Sequence, residues 1–334
     1  MNPALETLML AFSGEDALPI PGRAMFLGAE AHPDLANWPK ISGYQPFKPK
    51  AATWENGGFP LVEKPDGKWP LVLILPGKSK DETLGWFATA RKHLEPGGRI
   101  IVAMPNTAGA SRFEKELSKA AGNITSIQKH KCRAFHAIID ARCNPEIFDQ
   151  WSSLAEPRQI EGTDFTVEAG VFSSGHIDAG SAFLAQSFPA HLRGRVADLG
   201  AGWGYLTHEL LSRCPNVESV DLFEADSRAL DCARKNLGAF SQPIHYHWHD
   251  VTSGLPGEFD TIISNPPFHT GQATDVDLGR AFLTTSASSL KRGGKLLLVA
   301  NRQLPYEAVL ETRGLAWRNA AENATFKLLF AEKR

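Results

Sequence analysis

The 334-residue sequence predicts an α/β protein of two tandem domains, each a mostly parallel sheet with helices on both faces. Three observations predict it. From residue 196 onward, short apolar runs alternate with segments of helical spacing, and right-handed crossovers between parallel strands are the arrangement such alternation allows. The order strand, helix, Gly-Gly, strand, Asn, helix, hairpin occurs twice, once from residue 70 and once from residue 259, as a duplicated domain would give. A chain of this length also suffices for two hydrophobic cores.

In chain order, Arg23-Ala24-Met25-Phe26-Leu27-Gly28 starts a strand. PLVLILPG (70–77) is a second, DETLGWFATARKHL (81–94) a helix, and EPGG (95–98) turns into the strand RIIVAMPN (99–106). The helix ASRFEKELSKA (110–120) and the strand pair ITSIQ and CRAFHAII complete the first half. The stretch NPEIFDQWSSLAEPRQIEGTD loses clear periodicity and gathers Pro, Ser and Gly, so residues 146–164 are expected to link a first domain (1–145) to a second (165–334). There, VADLG (196–200), SVDLFEAD (219–226), PIHYHWHD (243–250), FDTIIS (259–264) and KLLLVAN (295–301) read as strands. YLTHELL (205–211), SRALDCARKNL (227–237) and DVDLGRAFLTTSASSL (275–290) read as helices, and residues 315–332 as a closing hairpin.

Composition narrows the function. The chain is 43% hydrophobic and 22% charged with net charge −2, so bulk charge does not mark a polybasic nucleic-acid protein. Contact with RNA would need a local patch such as Arg112 to Arg133, with Lys115, Lys119, Lys129 and Lys131 opposed by Glu114 and Glu116; an ordinary solvated helix and hairpin reads equally well. No apolar run approaches the roughly 20 residues that span a membrane. The start, MNPALETLML, lacks the pattern of a secretion signal. Cys132, Cys143, Cys214 and Cys232 are scattered without a CxxC pair, which fits free thiols in a reducing cytoplasm.

Candidate chemistry gathers in the second half. Asp198-Leu199-Gly200-Ala201-Gly202-Trp203-Gly204 follows a strand and opens a helix. Glycines permit a tight turn and close approach of a ligand to the backbone. A nicotinamide-type loop would carry its third glycine where Tyr205 stands, and the Asp198 carboxylate would repel a pyrophosphate. S-adenosylmethionine, with an amino-acid end and no phosphate, suits an acid there better. Glu224 ends the second strand, where an acid can accept both ribose hydroxyls, while Asp226 reads as the N-cap of the next helix. Asp250 ends the third strand and could accept from an adenine amine, or simply make a turn. The alternating His245, His247 and His249 share one strand face, but with no partner ligand set a metal is not expected.

Two prolines cannot continue a sheet, so Asn265-Pro266-Pro267-Phe268 after FDTIIS is a deliberate stop beside the glycine loop. An exocyclic amine is a poor nucleophile because its lone pair is shared with the ring. The Asn265 side-chain oxygen and the Pro266 carbonyl can each accept one of its N–H groups, and Phe268 offers a face on which an extruded base can stack.

These residues resemble the class I S-adenosylmethionine-dependent methyltransferases of the NPPF subgroup, most closely the bacterial small-subunit ribosomal RNA guanine-N2 type. The likeness lies in GVFSSGHIDAGSAFL (170–184), VADLGAGWGYL (196–206), NPPFHTG (265–271), VANRQLPY (299–306) and TFKLLF (325–330). It implies two tandem Rossmann-like class I methyltransferase domains, the N-terminal one degenerate and kept for structure or RNA recognition. It also implies that Asp198, Gly200, Gly202, Glu224 and Asp250 bind S-adenosylmethionine, with Asp178 and Gly180 bordering the pocket, and that Asn265, Pro266 and Phe268 hold the guanine. The expected partner is ribosomal RNA in the 30S subunit, with a monomeric cytoplasmic enzyme. Alternatives are a 23S rRNA target, a release-factor glutamine, or an RNA-binding assembly factor without catalysis. Glutamine methyltransferases typically read NPPY, which Phe268 departs from.

Overall fold

The computed structural model describes residues 2–267, 269–270, 273–274 and 276–334. The chain divides into two compact units, Met1–Pro157 and Arg158–Arg334.

The second unit carries a seven-stranded sheet. In spatial order its strands are Ile244–Trp248, Asn216–Glu224, Arg193–Leu199, Phe259–Ser264, Leu290–Asn301, Phe326–Lys333 and Leu315–Glu322. The first five are parallel, Phe326–Lys333 runs antiparallel to them, and Leu315–Glu322 pairs antiparallel with Phe326–Lys333. Alternate residues feed opposite cores: Val196 and Ile263 pack with Leu210 and Leu230 on one face, and Ala197 and Ile262 pack with Phe282 and Leu296 on the other. Strand order reverses between Arg193–Leu199 and Phe259–Ser264, so their carboxyl ends open a crevice at which folds of this kind bind ligands.

The first unit repeats this plan with one strand fewer. Its sheet runs Ile41–Tyr44, Ala24–Leu27, Trp69–Ile74, Leu94–Pro105, Cys132–Ile139, Thr125–Lys129. The correspondence reaches single hydrogen bonds. Gly28 and Ala29 donate their amides to the Tyr44 carbonyl at 2.9 and 3.2 Å, and Gly200 and Ala201 donate to the Phe223 carbonyl at 2.9 and 3.2 Å.

Residues 146–164 are not a plain linker. Pro145–Ala155 is a helix, with Asn144 accepting from the Glu146 amide at 3.0 Å and a proline in its first turn. Phe148 and Trp151 are buried, Trp151 with its ring 5.7 Å from that of Phe87. A β-carbon on Gly85, in the helix Lys80–His93, would fall 2.4 Å from the Ala155 β-carbon, so glycine there lets the two helices meet. Strand Ile41–Tyr44 and helices Pro3–Met9, Lys48–Asn56 and Ala179–Ala185 also lie where no element was read. Each is short, and the strand ISGY has no apolar run to show.

The basic patch is partly neutralised: Arg133 pairs with Glu114, and Lys119 with Glu116 at 3.0 Å, while Lys115 and Lys129 remain exposed. Among the described residues no helix is long and apolar enough to cross a membrane. All four cysteines are free thiols.

Candidate active site

The strand Arg193–Leu199 delivers Asp198 to the crevice with no exposed surface. Its Oδ2 accepts from the Thr207 hydroxyl at 2.7 Å, in the first turn of the helix Tyr205–Arg213. Its Oδ1 is buried with no hydrogen-bond partner among the described residues. Burial pushes the Asp198 pKa up to about 7; the Thr207 bond opposes the shift and the neighbouring Glu224 adds to it. The turn that follows demands glycine. Gly200 sits at φ +71°, and a β-carbon there would lie 3.3 Å from the Phe282 ring. Gly202 sits at φ +54°, and a β-carbon there would meet open space, so the loop backbone is bare on that side.

Glu224 ends the neighbouring strand and ties the loop down. Its Oε2 accepts from the Gly202 amide and its Oε1 from the Asp226 amide, both at 2.8 Å. Burial raises its pKa, and these amide bonds oppose the shift. The sequence pointed Glu224 toward a ribose; what the structure shows is its carboxylate shaping the glycine loop. Asp226 caps the helix Ser227–Asn236 as expected, accepting from the Arg228 amide at 3.0 Å. Asp250 is half-exposed and makes the strand-end turn: its Oδ1 accepts from the Thr252 amide at 2.9 Å and hydroxyl at 2.7 Å.

Asn265 stands at the mouth of the crevice. Ser264 just before it is anchored through its hydroxyl to the Leu199 carbonyl at 2.8 Å. The Asn265 Nδ2 donates to Asp178 Oδ2 and to Ser181 Oγ, both at 2.8 Å. Asp178 Oδ2 also accepts from the Ser181 amide at 2.8 Å, capping the helix Ala179–Ala185. Both amide hydrogens of Asn265 are thereby taken up by the protein. Pro266 is buried behind it, and Phe268 lies outside the described residues. Asp178, Ser181, Gly200, Gly202, Trp203 and Asn265 line one small cleft of about 50 Å³, room for a polar headgroup. Gly180 does not line this cleft. It is buried, and a β-carbon on it would meet Asp178 Oδ2 and the Phe326 ring at 3.2 Å, so glycine there lets the helix start pack closely beside the cleft-lining Asp178. A larger groove of about 570 Å³, between Pro189–Leu192 and the C-terminal hairpin, brings none of these residues together.

Sequence reasoning missed Ser181, Thr207, Trp203 and Asn236. Asn236, at the end of its helix, donates to the carbonyls of Thr166 (2.9 Å) and Trp203 (2.8 Å) and accepts from the Thr166 amide at 2.7 Å. It binds the glycine loop to the segment that precedes the sheet. Trp203 donates to the Phe172 carbonyl at 3.2 Å, drawing the same segment over the cleft. No sequence spacing announces these contacts, because they join residues 31 to 70 positions apart. The histidines do not converge: His247 bonds Asp221 at 2.8 Å and stacks on Phe223, His249 bonds the Gly254 carbonyl at 2.5 Å, and His245 is exposed. Among the described residues no group of three His, Cys, Asp or Glu could hold a metal ion.

Residues 162–330 match the family model described as the methyltransferase small domain. The chain belongs to this family. It is 34% identical over 246 residues to a ribosomal RNA small subunit methyltransferase C of Psychromonas ingrahamii, covering 73% of this chain and 70% of that one. A protein of the same description from Shewanella oneidensis is 31% identical over 270 residues, 80% of this chain and 78% of that one. Among solved structures, the T. thermophilus 16S rRNA N2 G1207 methyltransferase in complex with AdoMet and guanosine superposes with a TM-score of 0.82 at 27% identity, covering 100% of this chain and 92% of that one. The first unit is thus a degenerate methyltransferase domain, and register shows what it lost. With Gly28 at the place of Gly200, Phe26, Glu30, Gln45 and Leu75 stand where the second unit has Asp198, Gly202, Glu224 and Asn265.

Proposed function

We infer that this chain is an S-adenosylmethionine-dependent methyltransferase acting on the exocyclic N2 of a guanine in 16S rRNA. The observation that carries this reading is the buried Asp198 and the half-buried Glu224 at the glycine loop, with Asn265 fixed beside them. Kinship to small-subunit methyltransferases over most of the chain supports the RNA substrate. The residues fit the cofactor. Asp198 Oδ1 lacks a partner and can accept from an ammonium group, directly or through water. Glu224 keeps lone pairs for ribose hydroxyls, and Asp250 can accept from the adenine amine. When bound, S-adenosylmethionine supplies a methyl group on a positively charged sulfur.

The protein's own contribution is to hold and prepare the target. The Asn265 Oδ1 and the Pro266 carbonyl each accept one N–H of the exocyclic amine. That turns the nitrogen lone pair out of conjugation with the ring and aims it. Phe268 offers its face to the extruded base. A strong general base is unnecessary, because a nitrogen that has gained a methyl group loses its surplus proton readily to water. The substrate is the assembled 30S particle, the enzyme acts as a cytoplasmic monomer, and the first unit serves structure or RNA recognition.

Purified protein with methyl-labelled S-adenosylmethionine, given 30S particles, 50S particles and naked rRNAs separately, tests the reading. Label in 30S recovered as N2-methylguanosine is expected. Label confined to 23S rRNA, or to a glutamine of a release factor, would replace the target. Cofactor binding with no label in any substrate would favour an assembly factor.

A further inference from the structure

Which way round the Asn265 amide sits decides what the site can accept, and the structure fixes it. An amide can flip, exchanging oxygen for nitrogen with little change in shape. Asp178 forbids the flip. Its Oδ2 lies 2.8 Å from the Asn265 amide and already accepts from the Ser181 backbone N–H, and a carboxylate has no hydrogen to give. The group facing it must therefore be NH₂. The Ser181 hydroxyl at 2.8 Å takes the second hydrogen, so the oxygen is the atom left for the substrate. Asp178 and Ser181 come from one helical turn, 84 to 87 positions before Asn265, so the same cap that starts the helix also sets the amide.

We propose that Asp178 and Ser181 are positioning residues that lock the Asn265 carbonyl oxygen outward and so commit the site to nucleophiles bearing N–H groups. This rests on the methyltransferase reading and sharpens it. Asp178 then has a role beyond the cofactor pocket it was expected to border, and Ser181 gains one it had not been given. A ring nitrogen without hydrogen would meet oxygen against lone pair and be refused.

The test measures kcat and KM for the RNA particle with wild type and variants, alongside cofactor affinity and melting temperature. Ser181→Ala removes one acceptor and should lower kcat about five- to tenfold, the weight of one neutral hydrogen bond, with KM and cofactor affinity unchanged. Ser181→Thr, which keeps the hydroxyl, should recover most of the loss. The decisive pair is at Asp178. Asp178→Asn keeps an amide oxygen in the place of Oδ2, which can accept from both Asn265 and the Ser181 N–H, and should lower kcat only a few-fold. Asp178→Ala removes that acceptor and should lower kcat roughly ten- to a hundredfold. A folded Asp178→Ala no worse than Asp178→Asn, or a folded Ser181→Ala at wild-type kcat, overturns the proposal. Wild type run in parallel keeps the two ideas apart: no N2-methylguanosine from wild type removes the functional reading, whereas an active wild type with indifferent variants removes only the lock.

Discussion

Cofactor binding should weaken as the pH falls below 7 if Asp198 receives the ammonium group as proposed, because this acid is half protonated there. Burial holds Asp198 near a pKa of about 7, against an ordinary value of 3.8. Holding it there means that the ionised form is disfavoured by roughly 4 kcal/mol in the folded protein. For an acid whose folded pKa is raised, the associated stability is fully present below 3.8 and is lost as the pH climbs through about 7. Binding follows the opposite sign, since only the carboxylate pairs with an ammonium. Affinity should approach its plateau above pH 7 and drop to about a tenth of it at pH 6. The ligand's own amino group loses its proton near about 7.8, which closes the window from above.

Thr207→Val probes the same group from the other side. It deletes a hydrogen bond to a charged acceptor, worth about 1.5–3 kcal/mol, and should raise the Asp198 pKa by about one to two units. The two titrations then overlap, so the best affinity falls about three- to thirteenfold and the optimum moves up in pH. Titration calorimetry in buffers of different ionisation enthalpy gives both affinity and proton release. Wild type should release about one proton on binding at pH 6. Affinity that is flat from pH 5.5 to 7.5, without proton release, would refute the reasoning.

Other changes separate the roles of nearby residues. Asn265→Ala should cut turnover by roughly a hundredfold or more while leaving cofactor affinity nearly intact, as loss of an oriented acceptor does; single-turnover rates beside calorimetry check this. Asn236→Ala breaks the three bonds by which Asn236 holds Trp203 of the glycine loop (one) and Thr166 (two). It should weaken cofactor binding about tenfold and raise hydrogen exchange at residues 200–204, with little change in the rate once bound. Charge reversal at Lys115 and Lys129 together should raise the KM for the RNA particle and flatten its salt dependence, leaving cofactor affinity alone; an unchanged KM would dismiss the patch.

The second unit was legible because its signals are local. Asp198 with its glycines, Glu224 and Asp250 at strand ends, and Asn265-Pro266 after FDTIIS each announce a strand's carboxyl end, and parallel topology brings those ends to one edge. The residues that hold the site were not legible. Thr207 and Ser181 are unremarkable in sequence and matter only through Asp198 and Asn265, which the fold places against them. The packing at Gly180 was hidden for the same reason: its neighbour Phe326 lies 146 positions away. The helix Pro145–Ala155 did carry a signal, Asn-Pro at its start with Phe148 and Trp151 three apart, but Ser, Pro and Gly after it masked the period.

The first unit shows how a domain discards chemistry while keeping its turn. Gly28 stays at φ +69° because a β-carbon would fall 2.2 Å from the Leu75 carbonyl oxygen, a constraint of folding rather than of ligand. Phe26, at the place of Asp198, is fully buried with its ring edge-on to Trp54 at 5.8 Å. Restoring the acid there should not restore a site. Phe26→Asp gives up a core ring, about 3–5 kcal/mol, and buries a carboxylate for which the apolar surroundings offer no counterpart to Thr207, costing several kcal/mol more. Against the roughly 5–15 kcal/mol that holds a domain folded, the sum should lower the melting temperature by about 10 °C or more, with no cofactor binding gained in this unit. Phe26→Leu, which keeps the site apolar, should lose far less. Differential scanning calorimetry of the two variants decides it: an Asp variant that melts with the Leu variant would mean that this position tolerates charge, and that the acid was not lost to packing.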